Sequence, residues 1–177
     1  MHISTLSAVC FLLPALPICV YIFYSDMKFK RISNLSVWAL LIVFIIGGLL
    51  TLPFQEFLWR FANYAIVFAV LFVMWLARQM GAGDVKLAAV VALFIHPSDA
   101  SPALFLAFSS VLAATLATLI VRSSPLRNLA PEWAAWGNAE NSSANSVGIG
   151  NQFTLPMGTG IGLTLCIYLL LGALNGQ

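Results

Sequence analysis

Charge is what this sequence has least of. Among its 177 residues only eight are Lys or Arg and six Asp or Glu, so charged residues make up 8% of the chain against 61% hydrophobic ones. A water-soluble domain carries roughly 25% charge and 45–50% apolar residues, so the composition excludes one and makes lipid the solvent of the fold. The net charge of +2 is too small for a nucleic-acid binder. The basic residues also stand in short clusters beside apolar runs rather than along one face. Cysteine is scarce too: Cys10, Cys19 and Cys166 all lie inside apolar segments, without a C-x-x-C pair or neighbouring histidines. That excludes a disulfide framework and a zinc centre, and it leaves buried packing as their role. No metal and no cofactor is expected. The start, Met-His-Ile-Ser-Thr-Leu-Ser, lacks the positive region of a signal peptide, so the apolar run after it is kept as a helix.

What is present is a series of apolar runs: Leu6–Tyr24, Leu35–Leu52, Phe57–Leu76, a shorter one at Val85–Ile95, Ala103–Val121 and Phe153–Leu174. These predict an all-α integral membrane protein of about six transmembrane helices in one domain over residues 1–177. With the N-terminus outside, the inner loops hold Lys28, Lys30, Arg31, Arg78, Lys86, Arg122 and Arg127, leaving Arg60 on the outer half. Seven of eight basic residues then obey the positive-inside rule, and Asp26 and Asp84 both fall at the cytoplasmic face. The fourth run is short, since eleven residues at about 1.5 Å each make ~16 Å against a hydrocarbon core of about 30 Å. Counting back about 20 residues from Pro97 puts the inner end of that helix near Ala77 and Asp84 in a wet recess.

Residues 122–153 form the one long loop, expected on the cytoplasmic side, in which Leu126, Leu129, Trp133 and Trp136 suit either a short interfacial helix or an ordinary loop. The last span opens Leu155-Pro156-Met157-Gly158-Thr159-Gly160-Ile161-Gly162, and its Gly158-to-Gly162 spacing lets another helix approach closely. The same segment can wall an aspartate site at that end.

The two aspartates carry the chemistry. An unpaired carboxylate facing lipid costs at least about 2.5–3.5 kcal/mol, so Asp84 should face other helices or a water-filled cavity. Two carboxyls at short range hydrolyse a peptide bond without a metal when one takes a proton from water and its protonated partner donates to the carbonyl oxygen. Gly81 and Gly83 remove side chains and permit unusual dihedrals, which would let a substrate backbone lie against the site. Structural roles stand beside these. Asp84 after Gly-x-Gly suits an N-cap, and Asp26 suits a solvated charge balancing Lys28, Lys30 and Arg31, at a small cost from the nearby helix C-terminus. Lys28, Lys30 and Arg31 read first as anchors near anionic lipid. Glu56, His96 and Asp99 read as ordinary outer span-end residues, and His2 as inert.

The segments around the aspartates resemble the type IV prepilin peptidases, and most closely the short TadV/CpaA type that serves Flp-type pili. Asp26-Met27-Lys28-Phe29-Lys30-Arg31-Ile32-Ser33-Asn34 is similar to the first-aspartate segment of that family, where a basic run leads to Arg-Ile-Pro-Asn. Gly81-Ala82-Gly83-Asp84-Val85-Lys86-Leu87 resembles its G-x-G-D-x-K-L segment, and Leu155-Pro156-Met157-Gly158 its late Pro-Tyr-Gly, with Ser33 and Met157 as departures. The resemblance implies that Asp26 and Asp84 are a metal-independent catalytic pair at the cytoplasmic face. It implies that Gly81, Gly83, Lys86, Arg31, Asn34, Pro156 and Gly158 shape the site or contact substrate. It also implies the substrate: prepilin or pseudopilin precursors whose short basic leader ends in Gly before a hydrophobic helix, met in the bacterial inner membrane. The N-terminal Cys-rich domain of larger bifunctional relatives has no counterpart, so methyltransferase activity is not expected. Two other classes remain in view: a non-catalytic membrane subunit of a pilus or secretion machine, which would tolerate Asp-to-Asn changes, and a small transporter, against which the lack of repeated halves and of mid-membrane polar residues argues.

Overall fold

A computed structural model of the chain describes residues 2–29, 32–123 and 157–176. Among the described residues there are six α-helices: α1 (Thr5–Phe29), α2 (Asn34–Thr51), α3 (Phe54–Leu76), α4 (Ala82–Phe94), α5 (Ala100–Ser123) and α6 (Met157–Asn175), with one 3-10 turn at Pro97–Asp99. Among the described residues there is no strand. Five of the helices, all but α4, are long and apolar enough to cross a membrane. The protein is an all-α integral membrane protein, as the composition predicts. Leu50, Phe105 and Phe108 each keep more than three quarters of their surface exposed, which an apolar solvent tolerates and water would not. The predicted loop begins later than expected, since α5 runs to Ser123, and the rest of it, including Leu126, Leu129, Trp133 and Trp136, lies outside the described residues.

The short helix is the central one. Eight of the 13 residues of α4 are buried, and α2, α3 and α6 all contact it. That burial explains its sequence, because a helix that is hydrophobic all round is enclosed on every side. Its 13 residues span only ~20 Å. The sequence reading extended this helix back to Ala77, and here the structure differs. Residues 77–81 form a turn, because α3 ends in a Schellman motif. In that motif the Arg78 N–H donates to Trp75 O (2.9 Å) and the Gln79 N–H to Met74 O (3.0 Å), with Arg78 at φ 59°. The left-handed residue reverses the chain and α4 starts afresh at Ala82.

The most extensive interface joins α1 to α6, and α6 also packs on α5 and α4. A Cβ at Gly160 would lie 2.7 Å from the Val111 Cα, so Gly160 is what lets the α5 and α6 backbones meet. The predicted Gly158-to-Gly162 pair does not serve that purpose, since a Cβ at Gly162 would find only Ile22 Cγ2, at 4.0 Å. Around the C-terminal end of α4, Phe44 gathers Phe11, Phe57, Phe61 and Phe94 at ring-centroid distances of 5.4 to 5.9 Å. This aromatic layer borders the end of the bundle where α4 stops.

Candidate active site

Asp26 sits in the last turn of α1 and is 5% exposed. A carboxylate at a helix C-terminus meets the negative end of the dipole, so something must offset that cost. The first turn of α6 does so. The Thr159 N–H donates to Asp26 Oδ2 at 2.8 Å and the Thr159 hydroxyl donates to the same oxygen at 2.9 Å. The first N–H groups of a helix lack intrahelical partners and carry partial positive charge, so α6 presents its donor end to the carboxylate. Asp26 is therefore not the solvated loop charge of the bland sequence reading.

Asp84 is the third residue of α4, following Gly81 as the N-cap position, rather than the N-cap itself. Its carboxylate reaches back to accept the Gly81 backbone N–H, the reciprocal half of a capping box. A Cβ on Gly81 would stand 2.8 Å from Asp84 Oδ2. Gly81 has φ −71° and ψ 144°, which any residue adopts, so this glycine is required for close approach and not for an unusual dihedral as the sequence suggested. Asp84 is partly buried and lies outside the five spanning helices. Its carboxyl is pushed up to about 7, first by burial and then by the charge of Asp26, while the Gly81 N–H opposes both. The two carboxylates thus sense one another at one end of the bundle.

Ile32 joins the pieces. A Cβ at Gly83 would lie 3.3 Å from Ile32 Cβ, and one at Gly158 would lie 2.7 Å from Ile32 Cδ1 and 3.1 Å from Asp26 Oδ2. Ser33, where the resemblance calls for Pro, caps α2 by accepting the Leu35 N–H at 3.2 Å. That places Asn34 at the helix start, where its Oδ1 accepts from Lys86 Nζ at 3.4 Å. Asp26, Asp84, Gly81, Gly83, Asn34, Lys86 and Gly158 therefore share one end. Arg31 and Pro156 lie outside the described residues. Thr159 is the residue sequence reasoning missed; its one signal was a hydroxyl at the start of the last apolar run. Among the described residues no group of three or more His, Cys, Asp or Glu is placed to hold a metal ion.

The opposite end corrects the sequence reading. Glu56, His96 and Asp99 are not independent span-end residues, and His2 is not inert. The His2 N–H donates to Asp99 Oδ2 at 2.9 Å, the Tyr168 hydroxyl donates to the same oxygen at 3.0 Å, and the His96 N–H donates to that hydroxyl at 3.0 Å. The rings of His2 and His96 stack at 5.7 Å. Arg60, fully buried, bonds Glu56 at 2.6 Å.

Residues 13–118 match the family model of the type IV leader peptidase family. That stretch carries both aspartates and the glycines beside Asp84, and it stops before Thr159. No curated protein and no solved structure matches the chain.

Proposed function

Because the chain belongs to the type IV leader peptidase family, we propose that it is a membrane aspartic endopeptidase whose catalytic pair is Asp26 and Asp84. The observation that carries this reading is that α1 and α4 bring two partly or fully buried carboxylates to the same end of the bundle, with Asp84 raised to about 7 first by burial and then by the charge of Asp26. Near neutral pH the pair then holds a proton on Asp84, while Asp26, with two donors on Oδ2, supplies the carboxylate. Asp26 takes a proton from water as the water oxygen attacks the scissile carbonyl carbon, and Asp84 donates its proton to the carbonyl oxygen. On collapse of the gem-diol the C–N bond breaks, the proton held by Asp26 passes to the leaving amine, and a hydroxyl proton returns to Asp84 as the C=O reforms.

The substrate proposed is a type IV prepilin or pseudopilin precursor, of the Flp type, cut after the glycine that ends a short basic leader. Its apolar helix would lie in lipid while the scissile bond reaches the cytoplasmic face of a bacterial inner membrane; the positive-inside rule, obeyed by seven of the eight basic residues with the aspartates on that side, supports this placement. Lys86, Asn34 and Gly158 would line the approach.

The deciding experiment co-expresses a candidate precursor in membranes with the wild type, Asp26→Asn or Asp84→Asn at matched protein levels, following loss of the leader by mass. Cleavage after the leader glycine by the wild type, with intact precursor in both variants, is the expected result. Processing at the wild-type rate by either variant removes the two-aspartate mechanism, and by both it favours a non-catalytic assembly subunit.

A further inference from the structure

Among the described residues Arg60 is the one large charged side chain with no exposure at all, and it lies at the far end of the bundle from the aspartates. An arginine enclosed among apolar helices is costly unless it satisfies groups that would otherwise be stranded. Arg60 Nη1 donates to Phe94 O at 2.6 Å and to Leu93 O at 3.3 Å. Those are the last carbonyls of α4, which have no intrahelical donors, and a cation there also suits the helix dipole. Nη2 is held by Glu56 Oε1 at 2.6 Å, and Nε has no partner. The fork thus ties the C-terminal end of α4 to α3.

The same end of α4 is tied to α6. The His96 N–H, two residues beyond α4, donates to the Tyr168 hydroxyl, which donates onward to Asp99. Now α4 and α6 run in the same direction, each starting at the aspartate end and each reaching the far polar cluster. Asp84 to Leu93 is nine residues along α4, and Thr159 to Tyr168 is nine along α6. At about 1.5 Å per residue both intervals are ~13.5 Å. Two rigid helices with equal spans between the same two polar layers are in register only if both layers hold. The inner layer fixes Asp26 to α6 through Thr159, yet among the described residues no hydrogen bond joins Asp84 to α6. At the near end the side chain of Ile32, packed against Gly83 and Gly158, links α4 to α6, so among the described residues the hydrogen bonds that set the depth of Asp84 against α6 are those of the far layer.

We infer that Arg60, with Tyr168, is a positioning residue for the proposed reaction: by clamping the C-terminal end of α4 it sets the height at which Asp84 meets Asp26. This rests on the aspartic-peptidase reading above.

The test uses the full chain, reconstituted in lipid, as wild type, Arg60→Met, Arg60→Lys and Tyr168→Phe, each also bearing spin labels at Ala82→Cys and Met157→Cys with the native cysteines replaced by Ala. Arg60→Met should lower kcat about tenfold or more with KM within about twofold, as a misplacement of about 1 Å does. It should also shift or broaden the spin–spin distance by about one to two residues of helical rise, ~1.5–3 Å. Arg60→Lys, which keeps the charge and loses the fork, should recover part of both. Wild-type kcat in Arg60→Met, or a lowered kcat with an unchanged distance, overturns the proposal. Should Arg60→Met fail to fold, Tyr168→Phe decides by deleting one hydroxyl: a smaller shift in the same direction supports the clamp, and wild-type values for both readouts overturn it. If the wild type itself processes no precursor, the peptidase reading falls while the distance measurement still decides the registry.

Discussion

Replacing Thr159 by Val isolates one contact of the proposed site. Valine keeps the β-branched shape and the backbone N–H at 2.8 Å from Asp26 Oδ2, and it removes only the hydroxyl that donates at 2.9 Å. A hydrogen bond to a charged group contributes about 1.5–3 kcal/mol, which at 1.36 kcal/mol per tenfold spans roughly a 12- to 160-fold change in rate. One donor survives and the carboxylate can recentre on it, so the lower end applies: kcat should fall about tenfold. KM should hold within about twofold, because the lost interaction acts on the reacting carboxylate and not on bound leader. The assay is steady-state cleavage of a purified precursor by reconstituted enzyme, with Thr159→Ser as the control that restores the hydroxyl. Thr159→Val turning over at the wild-type kcat, while folded to the same extent, would refute the claim that α6 equips Asp26 for chemistry.

Two further outcomes follow from the same geometry. With Asp84 raised to about 7, the site keeps its acidic proton below that pH and loses it above. In the proposed mechanism kcat/KM should therefore decline by about tenfold per unit as pH climbs from 7 to 9; a flat profile over that range, with the protein intact throughout, contradicts Asp84 as the acid. Gly81→Ala places a Cβ 2.8 Å from Asp84 Oδ2 in a backbone conformation that alanine accepts. It should cost about tenfold to a hundredfold in processing by displacing the carboxylate while the thermal unfolding midpoint in detergent stays near wild type. Undiminished processing would show that the close approach has no catalytic role.

Much of this was legible in one dimension. Long apolar runs announce membrane helices because lipid leaves the backbone no other donors and acceptors, and α2, α3 and α5 begin and end close to the runs that predicted them. Asp26 and Asp84 stood out because carboxylates in such a chain are expensive. What escaped prediction depends on contacts between distant segments. The start of α4 was misplaced because the Schellman stop uses Arg78 in a conformation usually supplied by glycine. Thr159 was passed over because its partner is 133 residues away. The far cluster joins positions 2, 56, 60, 96, 99 and 168, and its members look like unrelated span-end residues until α3, α4 and α6 are packed together.

The pairing of Asp26 with Thr159 also bears on how such an enzyme is made. A chain emerging from the ribosome carries both carboxylates by residue 84, but the donors that hold Asp26 come 75 residues later. At about 5–20 residues per second that interval lasts roughly 4–15 s. Until α6 has been inserted and docked, Asp26 lacks both Thr159 donors. In the proposed mechanism the pair would then be complete only after α6 has entered the membrane and docked against α1.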